Sequence, residues 1–217
     1  MAVLRILIAD DHSVVRAGLR TLLECRPGWE VCAEASDGRD AVEKAAKLKP
    51  DVAVLDIGMP LLNGVEATRR IHSSSPDTEI LILTMHESDD LVQQVVEAGA
   101  RGYILKDDAD RILLAAIDAV RHHKPYFSTR VSSAADSADS SPASTDAARA
   151  SRSRLTPRER EILQLLAEGK SNKEVASLLG IAVNTAEAHR ANIMLKLDFH
   201  SVTELVLYAI RNKIITS

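Results

Sequence analysis

The chain has 217 residues, of which 46% are hydrophobic and 27% charged, the composition of an ordinary globular protein of one or two domains. No apolar run reaches the ~18 residues of a membrane helix, and the apolar start is too short for a signal peptide. The only cysteines, Cys25 and Cys32, have the spacing of neither a redox pair nor a metal knuckle. These features predict a cytoplasmic protein with reduced thiols and no membrane contact.

The net charge of −4 is unevenly distributed. From Arg152 onward there are ten Lys/Arg and seven Asp/Glu, whereas the preceding residues hold seventeen and twenty-four. Because residues 152–217 are the more basic segment, they are the ones expected to approach a polyanion. The excess is small, so charge alone leaves nucleic-acid binding undecided.

The first 125 residues alternate between short β-branched runs and longer helical patterns. The predicted strands are Leu4–Ala9, Glu30–Ala35, Asp51–Asp56, Glu79–Thr84 and Gly102–Leu105, and the predicted helices cover 13–24, 38–48, 64–74, 89–98 and 108–122. Several strands are apolar almost throughout, which is typical of strands buried on both faces of a parallel sheet. Five βα units predict a (βα)5 doubly wound α/β fold, with its site at the C-terminal ends of the strands.

The segment from Pro125 to Arg154 is rich in Ser, Ala and Asp and poor in apolar bulk. Such a segment cannot bury enough surface to offset its ordering entropy. We predict a flexible linker over 125–151; a docked helix of Ala and Asp is the alternative.

A second helical pattern follows the predicted linker. Thr156, Pro157 and Glu159 have the spacing of a helix N-cap, a first helical residue and a capping box, and Ser171 is suited to cap the next helix. Two more helices, 184–197 and 202–213, complete a predicted all-α domain of four helices over 152–217.

Acidic, hydroxyl and amino side chains stand at the C-terminal ends of the predicted strands. Asp10 and Asp11 come after the first strand, Asp56 ends the third, Thr84 ends the fourth and Lys106 follows the fifth. Carboxylates that converge repel one another unless a cation joins them, and Mg²⁺ prefers oxygen ligands. An aspartate nucleophile beside a metal, a lysine and a hydroxyl is suited to phosphoryl transfer. Each acid taken singly could equally be a helix cap or a strand-end acid.

These residues and their spacing resemble the receiver domain of response regulators, which has a flavodoxin/CheY-like fold, over residues 1–124. The resemblance is carried by Asp10-Asp11, Asp56-Ile57-Gly58-Met59-Pro60, Asn63-Gly64, Thr84, Tyr103 and Lys106. It implies that Asp56 is phosphorylated and that Lys106 binds a phosphoryl oxygen, while Thr84 and Tyr103 form a switch pair. It also implies that Mg²⁺ or Mn²⁺ is held by Asp10, Asp11, Asp56 and the backbone carbonyl of Gly58.

Two positions depart from the usual receiver pattern. Met85 stands where a small residue is usual, and it could narrow access to the phosphoryl group. Asp107 stands where a proline usually follows the lysine across a cis bond, so this bond is expected to be trans or the loop strained.

Residues 152–215 resemble the LuxR-type helix-turn-helix of the NarL/FixJ family of response regulators. The resemblance makes Lys173–Leu179 the scaffold helix and Asn184–Leu197 the recognition helix. At 100° per residue, Ala186, Ile193 and Leu197 fall on one side of the latter and small or hydrogen-bonding residues on the other. The predicted DNA-binding residues are Lys173, Asn184, Thr185, Glu187, Ala188, Arg190, Ala191, Asn192 and Lys196.

Three positions of this domain depart from its usual pattern. Asn184 replaces a lysine, which predicts a shallower salt dependence of DNA binding. Ala186 replaces a core valine, at a cost on the order of 1–2 kcal/mol if the core does not adjust. Asp198 replaces a glycine, so the helix end is expected to be strained or longer.

The two resemblances together imply a response regulator and not an enzyme. A sensor histidine kinase would phosphorylate Asp56, and a homodimer joined through Leu205–Ile210 would bind double-stranded DNA. Because Met85 could narrow access to the phosphoryl group, a constitutive DNA-binding protein whose receiver only dimerises is the first alternative. A phosphatase using Asp56 would usually need an acid where Gly58 stands, and dinucleotide binding would need a Gly-rich turn after the first strand.

Overall fold

The structure is a computed structural model that describes residues 3–85, 89–127 and 155–215. The chain forms two compact units. Within the described ranges, no helix combines the length and the apolar character that a membrane span requires.

The first unit contains one sheet of six parallel strands in the order β2-β1-β3-β4-β5-β6. The strands are β1 (Leu4–Ala9), β2 (Trp29–Ala35), β3 (Val52–Asp56), β4 (Glu79–Thr84), β5 (Gly102–Leu105) and β6 (Tyr126–Phe127). The five predicted strands are confirmed to within one residue at each end. All five residues of β3 are buried, as its nearly continuous apolar run indicates.

Helices cover both faces of this sheet. They are α1 (Ser13–Glu24), α2 (Gly38–Leu48), α3 (Gly64–Ser74), α4 (Asp89–Glu97) and α5 (Ala109–Val120). One buried cluster joins alternate strand residues such as Leu7 to α2, α3 and α4, and the other joins residues such as Ile6 to α1 and α5. Each strand therefore sends successive side chains into opposite cores, and the predicted doubly wound α/β fold is confirmed.

The sixth strand, β6, was not predicted, because its two residues fall within the predicted linker, 125–151. Tyr126 is in register with Gly102 and Phe127 with Tyr103, and the amide of Tyr126 donates to the carbonyl of Arg101 at 3.1 Å. Both β6 side chains pack against the buried clusters. The described part of the first unit therefore extends to Phe127, and the rest of the predicted linker, 128–151, lies outside the described residues.

The second unit consists of four helices over the residues described. They are α6 (Pro157–Ala167), α7 (Asn172–Leu179), α8 (Val183–Lys196) and α9 (Val202–Arg211). The predicted capping box of Thr156 and Glu159 is present, and Ser171 forms a second one with Glu174. The buried core of this unit is aliphatic and includes Ile162, Leu163, Leu165, Val175, Ile193 and Leu205. The predicted all-α domain is thereby confirmed.

Candidate functional site

Asp10 lies at the C-terminal end of β1 and is completely buried. Its amide donates to the carbonyl of Ala35 at 3.2 Å, and its Oδ1 accepts a hydrogen bond from the amide of His12 at 2.8 Å. These bonds hold the carboxyl group at the strand end, where the parallel topology predicted a site.

Asp56 is the last residue of β3 and is 5% exposed. Helix α3 begins at Gly64 and packs directly against its backbone: a Cβ at residue 64 would lie 2.2 Å from the carbonyl oxygen of Asp56. Asn63 caps this helix, with its side chain accepting from the amide of Glu66 at 3.0 Å. The Asn63-Gly64 pair therefore allows α3 to support the strand end that carries Asp56.

Lys106 joins the two buried acids. Its Nζ lies 2.7 Å from Oδ2 of Asp10 and 3.0 Å from Oδ1 of Asp56, and its side chain is 11% exposed. The predicted convergence of these residues is confirmed. The peptide bond between Lys106 and Asp107 is trans, since the described residues contain no cis bond, and residues 106–108 form a single 3-10 turn. Of the two expectations for this loop, the trans bond is the one observed.

The charges of the site are not balanced. Burial raises the pKa of Asp56, and the charge of Lys106 opposes this rise. Burial would lower the pKa of Lys106, but hydrogen bonds and charges from Asp10 and Asp56 outweigh it and raise that pKa. Asp10, Asp11 and Asp56 offer three carboxylates to one ammonium, so the residues present fit an additional hard cation such as Mg²⁺.

Asp11 and His12 form the exposed side of this cluster. The Nδ1 of His12 lies 2.8 Å from Oδ1 of Asp11 and 3.3 Å from Oδ1 of Asp10. Ligand atoms of Asp10, Asp11 and His12 all lie within 4.8 Å of one another. His12 stands at the N-cap of α1, yet its side chain makes no capping hydrogen bond. His12 was not predicted as a site residue; its place directly after the acidic pair was the available signal.

The predicted switch residues lie on the neighbouring strands. Thr84 ends β4 and is 4% exposed, and Tyr103 on β5 is completely buried in the cluster that faces α2, α3 and α4. Gly58 is half-buried in the loop after β3. Met85 is 58% exposed, so its side chain points largely to solvent and the buried part of the site is formed without it.

The outward face of α8 carries most of the predicted DNA-binding residues. Asn184, Thr185, Glu187, Ala188, Ala191 and Asn192 are all exposed, and Lys173 on α7 is exposed as well. On the opposite side Ala186 and Ile193 are buried, as predicted. The predicted division of the helix into a buried and an exposed side is therefore confirmed, except that Leu197 lies beyond its end and is only half-buried.

Two of the predicted phosphate contacts are less accessible. Arg190 is half-buried. The Nζ of Lys196 lies 2.9 Å from Oε2 of Glu159 at the start of α6, so this lysine stabilises its own domain. A contact between Lys196 and DNA would require the ion pair with Glu159 to be shared or broken.

Leu195 and Asp198 lie near the C-terminal end of α8. Leu195 is 82% exposed on α8 and was not among the residues predicted to bind DNA. Asp198 has φ +54°, the left-handed conformation expected from the missing glycine. Helix α8 ends at Lys196, so the end is strained and not lengthened.

Protein-family models match both units. Residues 6–118 match the response regulator receiver domain, and residues 153–209 match the bacterial regulatory proteins of the luxR family. The oxygen regulatory protein NreC of Staphylococcus epidermidis is 39% identical over 216 residues, covering 98% of this chain and 99% of the relative. NreC of Staphylococcus aureus is 41% identical over 215 residues, with the same coverage.

Solved structures of similar proteins agree with the family models. The RcsB response regulator of Salmonella typhimurium superposes with a TM-score of 0.64 at 26% identity, covering 96% of this chain and 97% of that chain. A LuxR-family response regulator from Aurantimonas sp. SI85-9A1 has a TM-score of 0.58 at 37% identity, covering 61% and 94%. A complex of RcsB with DNA has a TM-score of 0.57 at 27% identity, covering 95% and 97%. The chain therefore belongs to the NarL/FixJ family of two-component response regulators and is a transcription regulator, not an enzyme, with a receiver domain and a LuxR-type DNA-binding domain.

Proposed function

We propose that Asp56 is the phosphoryl acceptor of this regulator. The observation that carries the proposal is the position of Lys106, whose ammonium lies 3.0 Å from Asp56 and 2.7 Å from Asp10. A carboxylate oxygen of Asp56 would attack phosphorus on a phosphohistidine of a sensor kinase. The P–N bond breaks, the histidine nitrogen keeps the electron pair, and an aspartyl phosphate forms.

The chain's own residues would stabilise this acyl phosphate. Lys106 would move its hydrogen bond from the carboxylate to one phosphoryl oxygen. The hydroxyl of Thr84 would donate a hydrogen bond to a second phosphoryl oxygen. Asp10, Asp11, Asp56 and the carbonyl of Gly58 would hold Mg²⁺ or Mn²⁺. When bound, this ion neutralises charge on the transferred phosphoryl oxygens.

Phosphorylation would control DNA binding through the second unit. Helix α8 would enter the major groove with its exposed face, while Lys173, Arg190 and Lys196 contact phosphates. A homodimer joined through α9 would bind two half-sites of double-stranded DNA in the cytoplasm. Support comes from α9 itself, where Leu207 and Ile210 are 46% and 38% exposed.

The test is to treat the full-length chain with a small phosphodonor and Mg²⁺ and to determine its mass. We expect a gain of one phosphoryl group that is absent from Asp56→Ala. Asp77→Ala is the matched control, because Asp77 is exposed and lies before β4, at the other end of the strands.

DNA binding is measured on the same samples. We expect phosphodonor treatment to change the DNA affinity of the wild type and of Asp77→Ala, and to leave that of Asp56→Ala unchanged. No mass gain, or a gain that persists in Asp56→Ala, would refute the acceptor assignment. Equal affinities under all conditions would favour a constitutive DNA-binding protein.

A further inference from the structure

The outward face of α8 has a chemical composition that restricts which bases it can recognise. At 100° per residue its members lie within an arc of roughly 160°. They are Asn184, Thr185, Glu187, Ala188, Ala191, Asn192 and Leu195, and all seven are exposed. Buried Ala186 and Ile193 lie on the opposite side, so this face is the one available to a ligand.

No residue of this outward face is a lysine or an arginine. A bidentate Arg or Lys contact to O6 and N7 is the commonest way in which a side chain recognises guanine. Arg190 is half-buried at the edge of the face, and Lys196 is paired with Glu159 at 2.9 Å. The outward face therefore lacks the groups that usually select guanine.

The middle of the face is an apolar stripe formed by Ala188, Ala191 and Leu195. Leu195 lies about 20° around the helix from Ala188 and about 40° from Ala191. Its 82% exposure means that it has little part in the core of its own unit. At 1.5 Å per residue the stripe is about 10.5 Å long, close to three base-pair steps.

In the major groove, the apolar group offered by the four bases is the C5-methyl of thymine. Asn184 lies in line with the stripe at its N-terminal end, and Asn192 lies beside it, about 40° around the helix from Ala188. The amides of these two residues match the donor and acceptor pattern of adenine. We infer that this regulator selects A·T-rich half-sites and that Ala188, Ala191 and Leu195 contact thymine methyl groups. The inference rests on the proposed entry of α8 into the major groove.

The experiment selects duplexes from a random pool with the phosphorylated full-length chain. The expected product is an A·T-rich half-site with neighbouring thymines. Each thymine of the selected duplex is then replaced by uracil, which lacks only the methyl group. Loss of one buried methyl contact should weaken binding about fourfold.

The variant Leu195→Ala should lose the uracil effect at one position and keep it at the others. Val14→Ala is the matched control, because Val14 is 83% exposed on α1 in the receiver, and it should retain every uracil effect. Circular dichroism checks that the variants remain folded, and the uracil series on the wild type needs no variant at all.

The outcomes separate this inference from the proposed function. If no duplex is enriched from the pool, the proposed DNA-binding function fails. If duplexes are enriched but are G·C-rich, or if uracil leaves the affinity unchanged, only the thymine-methyl inference is overturned. It is also overturned if Leu195→Ala alters self-association without DNA in sedimentation, because Leu195 would then contact a second copy of the chain.

Discussion

Replacing Asp198 by glycine should stabilise the DNA-binding domain. Asp198 has φ +54°, and this region costs a residue with a Cβ about 1–2 kcal/mol. Its side chain is 94% exposed, and its ion pair with His200 is long, at 3.7 Å between Oδ1 and Nε2. Since such an exposed pair contributes little, removing the side chain gives up almost nothing in the folded state.

The expected gain is the strain relieved less the cost of a more mobile unfolded chain. Glycine's extra freedom in the unfolded state lowers stability by about 0.4–1 kcal/mol. Against a relief of about 1–2 kcal/mol, the net stabilisation is about 0.5–1 kcal/mol, or roughly two- to fivefold in the folding equilibrium.

Hydrogen exchange followed by mass spectrometry on the full-length chain measures this change in peptides that cover α8. The single tryptophan, Trp29, lies in β2, so its fluorescence reports the receiver separately and should not change. His200→Gly is the matched control. His200 is exposed and is not among the described residues with positive φ, so glycine there should lower the stability. Exchange in Asp198→Gly as fast as in the wild type, or faster, would refute the argument.

Three further predictions concern the receiver and the DNA-binding domain. Gly64→Ala should destabilise the receiver by about 1–3 kcal/mol and slow phosphorylation, because its Cβ would lie 2.2 Å from the carbonyl oxygen of Asp56. Gly18→Ala, in α1 with nothing within 4 Å of its Cβ, should stabilise it by about 0.4–1 kcal/mol in the same denaturation assay. Burial would raise the pKa of Glu159, but hydrogen bonds from Lys196 and Thr156 outweigh it and lower that pKa. The stabilisation by ionised Glu159 is therefore present above the ordinary glutamate pKa and is lost as pH falls through the lowered value. Chemical unfolding should show that Glu159→Gln is less stable than the wild type at neutral pH and equally stable in acid. Lys173→Gln should reduce the slope of log affinity for DNA against log salt by about 0.9, as expected for one lost phosphate contact, and leave stability unchanged. Lys196→Gln should reduce stability as well, because it breaks the pair with Glu159, and an unchanged salt slope in both variants would contradict the predicted phosphate contacts.

Local signals were sufficient to predict most of the fold. Apolar runs identified β3 and β4 because both strands are buried on both faces. The spacing of Thr156 and Glu159 located the start of α6 because a capping box is formed by residues close in sequence. The site was predictable for a related reason, since parallel strands bring their C-terminal ends together whatever lies between them.

The features that were missed depend on contacts distant in sequence. The ion pair of Lys196 with Glu159 joins residues 37 positions apart, and no periodicity indicates it. Strand β6 has only two residues and exists because β5 provides a pairing edge. Leu195 is a different case: a leucine is ordinarily assigned to a core, although the 100° projection already places it on the outward face beside Ala188, and its 82% exposure agrees with the projection.

The pairing of Phe127 with Tyr103 places β6 directly beside the strand that carries a predicted switch residue. Tyr103 is the predicted aromatic partner of the phosphorylation switch, and Phe127 is the last residue of the first unit that the structure describes. Each backbone hydrogen bond contributes about 0.5–1.5 kcal/mol net, so a two-residue strand should separate from its neighbour more easily than the longer strands of the sheet. A conformational change that begins at Asp56, on β3, would thus have to cross only β4 and β5 to reach β6.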